Sequence, residues 1–315
     1  MNYKDTMPDV SIVILTFNQR EALERSLPII CSQDAHFAYE VIIIDSSSNS
    51  LIKELAGKFN ARWTNIDKSE FHHAKTRNLG MRMSNGRYVV FLTGDAIPYN
   101  KFWLKNLVSP LEENPNVIAI FSKQIPYPNC HPMEAREMED LFSDFRVIKQ
   151  VDLDDPYQIE QYRKNLKKFI VFSNVSSCYI KSYLEKRPFR EDIIAAEDQE
   201  WCRHFLEQGM AFQYEPSSVV LHSHNESLRE VFRRCFMVGQ AFRKIWPDYS
   251  LDSHYNLKPA NILGLLKAVK VLLGDYYFLF GYKAPFIKKI SWFFNIPFFR
   301  LARKIGFENG FKRTC

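Results

Sequence analysis

Short apolar runs alternate with amphipathic stretches through most of the chain. Val10–Phe17 (VSIVILTF) is almost wholly apolar and rich in β-branched residues, which predicts a strand covered on both faces. It ends at Thr16-Phe17-Asn18. Ala22, Leu23, Ser26, Leu27, Ile30 and Cys31 then share one face of a predicted helix. Val41–Ile44 (VIII) predicts a second strand, ending in Asp45-Ser46-Ser47-Ser48, and Leu51, Ile52, Leu55, Ala56 and Phe59 mark a second helix. Ala61–Asp67 is a candidate third strand. Tyr88–Pro98 (YVVFLTGDAIP) is the central run, apolar and β-prone up to Leu92 and then Thr-Gly-Asp. Strand and helix in alternation imply an α/β domain with a parallel sheet and right-handed crossovers.

Beyond that run, Trp103, Leu104, Leu107 and Leu111 fit a helix on the sheet, and Val117–Phe121 a further strand. Met138, Leu141, Phe142 and Phe145 stand at helical spacing as core. Residues 146–168 are polar without clear period and read as a loop or lid near an acceptor site. Phe172–Ile180 returns to the core as a strand. Trp201, Cys202, Phe205 and Leu206 form the inner face of a helix, and Ser218–His224 closes a last strand in His-Ser-His. Leu228 to Trp246 is amphipathic, with arginines opposite its apolar face.

Charge divides the chain. The net charge is +6, yet residues 258–315 hold eleven Lys or Arg against two Asp or Glu, a net +9, and the remainder is slightly acidic. That distribution argues against a nucleic-acid partner for the main domain and for a tail that meets an anionic surface. The tail is aromatic, and its longest uncharged run, Ile290–Phe299, is ten residues and contains Pro297. A spanning helix needs roughly 20. The tail therefore reads as lying on a membrane or, alternatively, as a helical subdomain or homo-oligomer interface. Six cysteines without CxxC spacing read as reduced thiols, and the polar opening Met1–Asp9 predicts no signal peptide. The expected location is cytoplasmic.

Two acidic strand ends, Asp45 and Asp95, point to one edge of one sheet, where open α/β sheets bind ligands. Neither GxGxxG nor GxxxxGK[ST] is present, which disfavours nicotinamide-dependent enzymes and P-loop nucleotidases. Carboxylates in place of phosphate-cradling glycines suggest a bridging cation. Alone, Gly94-Asp95 is also ordinary turn chemistry, and Glu197-Asp198 ordinary helix N-terminal charge.

Seven stretches in order resemble a family. They are Ser-Ile-Val-Ile-Leu-Thr-Phe-Asn (11–18), Ile-Ile-Ile-Asp-Ser-Ser (42–47), Phe-His-His-Ala-Lys-Thr-Arg-Asn-Leu-Gly (71–80) and Phe-Leu-Thr-Gly-Asp-Ala-Ile-Pro (91–98). Phe-Ser-Asn-Val-Ser-Ser (172–177), Glu-Asp-Gln-Glu-Trp (197–201) and His-Ser-His-Asn-Glu-Ser-Leu (222–228) follow. The chain resembles family 2 glycosyltransferases of the GT-A fold, and within them bacterial rhamnosyltransferases. The resemblance implies a central, mostly parallel sheet between helices, with a helical C-terminal extension. It implies Thr16, Asn18, Asp45, Arg77, Asn78, Gly94 and Asp95 as donor-binding residues, Asp45 contacting the base. It also implies Asp198 as general base, with Glu197 its near rival. Asp95 with His222 or His224 would hold Mg²⁺ or Mn²⁺. The run Thr93-Gly94-Asp95-Ala96 departs from a full DxD, and Gly94 stands where the rhamnosyltransferase-like group usually has Gln.

The resulting expectation is an inverting, metal-dependent transferase. It would move a sugar, first of all rhamnose, from a nucleotide-diphosphate donor to a surface-glycan or lipid-linked acceptor at the inner face of the plasma membrane. The alternatives are a uridine-diphosphate hexose or N-acetylhexosamine transferase and a catalytically silent donor-binding subunit of a membrane assembly. The expected organisation is a transferase domain over 1–227, an amphipathic helix and linker over 228–257, and a basic aromatic tail over 258–315.

Overall fold

The computed structural model describes residues 7–47, 51–128, 130–143, 148–246 and 262–313. Ser48, Phe145 and the linker assigned to 247–257 lie outside these residues. The chain divides into two compact units. The first comprises residues 1–124, 145–192 and 197–222, and the second residues 125–144, 193–196 and 223–315.

The strands are β1 (Val10–Thr16), β2 (Tyr39–Asp45), β3 (Arg62–Asn65), β4 (Tyr88–Thr93), β5 (Ile97–Pro98), β6 (Val117–Ile125), β7 (Ile148–Lys149), β8 (Ser176–Ile180) and β9 (Ala211–Leu221). They form one sheet in the order β3-β2-β1-β4-β8-β6-β9-β5, with β7 also pairing β9. β1 pairs in parallel with β2 and β4, and β2 with β3, as the strand–helix alternation predicts. β8 runs antiparallel to β4 and β6, so the sheet is mixed and its parallel part narrower than the sequence suggests. Val10–Leu15 and Val89–Leu92 are buried throughout, which is why they read as unbroken apolar runs. Leu23, Leu27 and Ile30 bury the inner face of the helix Arg20–Ile30, whereas Cys31, assigned to that face, is exposed beyond the helix end.

Two segments depart from expectation. The run 88–98 is not one strand. The chain turns at Gly94-Asp95, and Ile97–Pro98 crosses to pair antiparallel with Val220–Leu221. The stretch 146–168, read as a loop or lid, carries over its described residues 148–168 the helix Pro156–Lys164 and the start of the helix Leu166–Ile170. Asp155 caps the first by accepting from the N–H groups of Tyr157 and Gln158, and Pro156 occupies its first turn. That Asp-Pro pair is a helix start signal set in a polar stretch with no periodic apolar face to announce it.

The second unit is helical: Pro132–Ser143, Leu228–Ile245, Ile262–Gly281 and Phe286–Lys312. The segment 228–246 belongs to this unit together with the tail. Gly306 and Gly310 let Phe286–Lys312 approach Leu228–Ile245 so closely that a Cβ at either would meet the carbonyl oxygen of Phe232 or Phe236. Asp275, fully buried, accepts from Arg300 Nε at 2.8 Å and pairs with Arg136. The tail residues 262–313 are therefore packed on one side by specific contacts.

Candidate active site

The carboxyl edge of the parallel strands forms the first part of the site. Register places Thr16 opposite Asp45 and Leu15 opposite Thr93, so Thr16, Asp45 and the Gly94-Asp95 turn share one edge. Asn18 has φ 53°, in the left-handed region, and its N–H donates to Ser47 Oγ at 2.8 Å. Ser47 N–H in turn donates to Asp45 Oδ1 at 2.9 Å. Asp45 Oδ2, Thr16 Oγ1 and Thr93 Oγ1 are buried without a hydrogen-bond partner among the described residues. Buried polar atoms are normally hydrogen-bonded, by protein, water or ligand. An open cleft of about 620 Å³ is lined by Asn18, Gln19, Arg20, Glu21, Ala22, Leu51 and Ile52, within the range of small-ligand sites.

Gly94 has a steric reason. A Cβ there would meet Gln19 Oε1 and lie 2.9 Å from Thr16 Oγ1. Gln19, which the sequence reading did not single out, brings an amide to the space where a side chain at 94 would begin.

The second part joins Asp95 to His222. β5 pairs Ile97 with Leu221, so the turn before β5 and the residue after β9 arrive together. Asp95 Oδ1 and His222 Nε2 stand 3.8 Å apart. His222 Nδ1 lies 3.0 Å from Gln124 Oε1, while Gln124 Nε2 donates to Ser173 Oγ at 2.8 Å. An amide oxygen can only accept, so Nδ1 carries the proton and Nε2 presents its lone pair on the side of Asp95. A carboxylate oxygen beside an imidazole nitrogen in a fixed tautomer fits a divalent cation. His224 follows two residues on, in the segment grouped with the second unit.

The third part is built on the helix Glu197–Leu206. Ala196, just before it, has φ 57°, a strained conformation for a residue with a Cβ. Glu197 Oε1 accepts from Arg77 Nη1 at 2.9 Å and from Asn174 Nδ2 at 3.1 Å. Asp198 Oδ2 accepts from Asn174 N–H at 2.9 Å, and its Oδ1 from Gln199 N–H at 2.8 Å. The two neighbouring carboxyls titrate apart. Burial disfavours the charge on Glu197, but the Arg77 guanidinium, with His73, holds it below the usual carboxylate range. Burial and then the Glu197 charge push Asp198 up to about 7. A helix N-terminus alone would keep Asp198 ionised; here desolvation outweighs it.

Ser173-Asn174-Val175 binds the parts together. Ser173 accepts from Gln124, the partner of His222; Asn174 holds both carboxyls; Val175 O accepts from Thr93 N–H at 3.0 Å, next to Gly94-Asp95. Asn174 Oδ1 is itself fixed by Ser177 Oγ and Tyr179 OH, at 2.8 and 2.7 Å. Its place at the head of a strand was visible in the sequence, but not its role, because the partners come from distant segments.

Arg77 and Asn78, expected at the donor, both bond within the protein. Arg77 is 4% exposed and committed to Glu197. Asn78 bonds the N–H and C=O of Phe189 at 3.0 and 2.9 Å, and also Glu191, so its amide ties its helix to the 189–191 segment.

The family model for Glycosyl transferase family 2 matches residues 11–186. The chain belongs to glycosyl transferase family 2. This family 2 chain is 29% identical over 236 residues to the O-antigen chain rhamnosyltransferase WbaN of Salmonella anatum, covering 74% of this chain and 72% of the relative. Among solved structures it resembles the mannosyltransferase PcManGT of Pyrobaculum calidifontis in complex with GDP-Man and Mn²⁺. The TM-score is 0.61 at 18% identity, over 97% of this chain and 86% of that one. It also resembles Staphylococcus aureus TarS 1–349 in complex with UDP-GlcNAc, with a TM-score of 0.52 at 13% identity, over 96% and 90% of the two chains. At these identities the structures establish the shared GT-A fold. The family 2 chain is a glycosyltransferase.

Proposed function

We propose that this family 2 enzyme is an inverting rhamnosyltransferase. It takes rhamnose from a thymidine-diphosphate donor and delivers it to a hydroxyl of a surface-glycan or lipid-linked acceptor, at the inner face of the plasma membrane. Asp198 carries the reaction type: a buried carboxyl near neutrality, fixed by two backbone N–H donors beside an ionised Glu197. Such a group is half ionised where a base must both accept and release a proton. Similarity to WbaN supports the sugar.

In this reading the nucleoside occupies the cleft beside Asn18 and Leu51, with Thr16 and Asp45 at its polar end. Asp95 with His222 would hold Mg²⁺ or Mn²⁺, whose charge offsets that of the diphosphate. Asp198 takes the proton of the acceptor hydroxyl as the oxygen's electron pair forms a bond to the anomeric carbon. The bond from that carbon to the diphosphate oxygen breaks on the opposite face, its electron pair leaving with the nucleoside diphosphate. Glu197, held ionised by Arg77, keeps Asp198 basic and takes no proton itself.

A panel of nucleotide sugars, assayed by released nucleoside diphosphate, tests the reading. Turnover of thymidine-diphosphate rhamnose above all others is the expected result. Preference for a uridine-diphosphate hexose would overturn the sugar, and donor binding without turnover across the panel would overturn the reaction.

A further inference from the structure

The tail carries two apolar stripes that no described residue of its own unit covers. On Ile262–Gly281, Leu266, Val269, Leu273, Tyr277 and Phe280 recur every three or four residues and are exposed, Tyr277 to 85%. On Phe286–Lys312, Ile287, Ile290, Phe294, Phe298, Leu301 and Ile305 do the same, Ile287 at 82%. That spacing makes each set a single face of its helix. The opposite faces are packed: Asp275 is buried under Arg136 and Arg300, and Phe299, Phe307 and Phe311 are buried.

Both stripes look the same way. The helices run antiparallel, because Lys289 Nζ donates to Phe280 O while Arg300 reaches back to Asp275. They touch at Tyr276 and Phe293, with ring centroids 4.5 Å apart. Each of these residues immediately precedes a stripe residue, Tyr277 and Phe294, and so lies on the same rotational flank of its stripe. In antiparallel helices this puts both stripes on one side of the pair.

We propose that this double stripe seats the protein on an anionic lipid surface, its aromatic side chains entering the bilayer interface and its lysines meeting the headgroups. Charge chooses the occupant. Residues 262–313 contain two acidic side chains, and both are paired with cations: Asp275 with Arg136 and Arg300, and Glu308 with Lys304. Lys270, Lys283, Lys288 and Lys312 are exposed. A second copy would set lysine against lysine with no free carboxylate between them, whereas helix pairs through such stripes normally match charges of both signs along their rims. No described helix is long and apolar enough to cross a membrane, so the pair lies in the interface. The inference deepens the reading of a membrane-surface enzyme and rests on it only for the acceptor's location.

Co-sedimentation of the full chain with vesicles, in the absence of any sugar donor, tests it apart from catalysis. The probes are phosphatidylglycerol–phosphatidylcholine vesicles and phosphatidylcholine vesicles. The native protein is expected to bind the anionic vesicles at least about tenfold more tightly. Combined Tyr277→Ser, Phe280→Ser, Phe294→Ser and Phe298→Ser should lose roughly tenfold or more on anionic vesicles with an unchanged melting temperature. Combined Lys270→Glu, Lys283→Glu and Lys288→Glu should erase the anionic preference. Equal partition of native and substituted chains, or no vesicle binding, would overturn the proposal. So would sedimentation velocity in which the serine substitutions turn a dimer into a monomer without altering vesicle binding.

Discussion

Arg77 and Glu197, 120 residues apart in the chain, form an ion pair at 2.9 Å in which both side chains are buried. The pair joins the helix His73–Met83 to the helix that carries Asp198. It also helps to set two adjacent carboxyls apart: burial is the main cause that raises Asp198, and the Glu197 charge, which Arg77 favours, raises it further. Arg77 acts on the site through Glu197 and is a positioning residue.

Breaking that pair leaves a bare charge in a dry setting. Arg77→Gln should cost about 3–5 kcal/mol of unfolding free energy, the range for stripping one partner from a buried pair. Arg77→Gln with Glu197→Gln should recover a good part, because neither charge is then stranded. Urea unfolding of the two variants checks this. A double variant no more stable than Arg77→Gln would show that the pair's role is not electrostatic.

Asp198 makes both rate and stability depend on pH. Turnover should rise as pH increases through about 7 and then level, following ionisation of the base. For stability, its folded value lies above its ordinary 3.8. Between those values the folded state binds more protons than the unfolded state. The stabilisation is fully present below about 4, is lost as pH rises to about 7, and changes no further above that. Asp198→Asn lacks this titration. Its melting temperature relative to the native chain should therefore climb between pH 4 and 7 and then stay flat. Parallel melting curves across that span would contradict the raised value.

Gln124 fixes the His222 tautomer, so it should matter to metal without touching it. Chelation with EDTA should abolish activity and Mg²⁺ or Mn²⁺ should restore it. Asp95→Ala should weaken donor binding. Gln124→Leu should raise the metal concentration needed for half activity by about 10–100-fold, the usual effect of removing such a support. Full activity after exhaustive chelation would remove the metal from the account.

Much of this site was legible in the sequence because its elements are local. Val10–Thr16, Tyr39–Asp45 and Tyr88–Thr93 announce themselves as apolar runs, and parallel pairing then forces Thr16, Asp45 and Asp95 to one edge. What stayed hidden depends on contacts between distant segments. The crossing of Ile97–Pro98 to β9 brings Asp95 to His222, and no local signal marks it. Arg77 reads as a cation for phosphate until Glu197 is found against it. Gln19 and Gln124 are unremarkable polar residues until their neighbours are known. The tail was legible as aromatic and basic, but only the packing of Asp275, Phe299 and Phe307 separates its covered side from its exposed one.

Asp198 is proposed to remove the acceptor proton. A sugar hydroxyl is almost wholly protonated at neutral pH, and Asp45 and Asp95 stand apart from Asp198, at the carboxyl edge of the parallel strands. The most direct measurement is turnover of Asp198→Asn and Glu197→Gln at saturating donor, with calorimetry to confirm donor affinity. Asp198→Asn should bind donor normally and lose about 10²–10⁴-fold in turnover, the range for a general base. Glu197→Gln should lose less. Near-normal turnover in Asp198→Asn, or a larger loss in Glu197→Gln, would contradict the assignment.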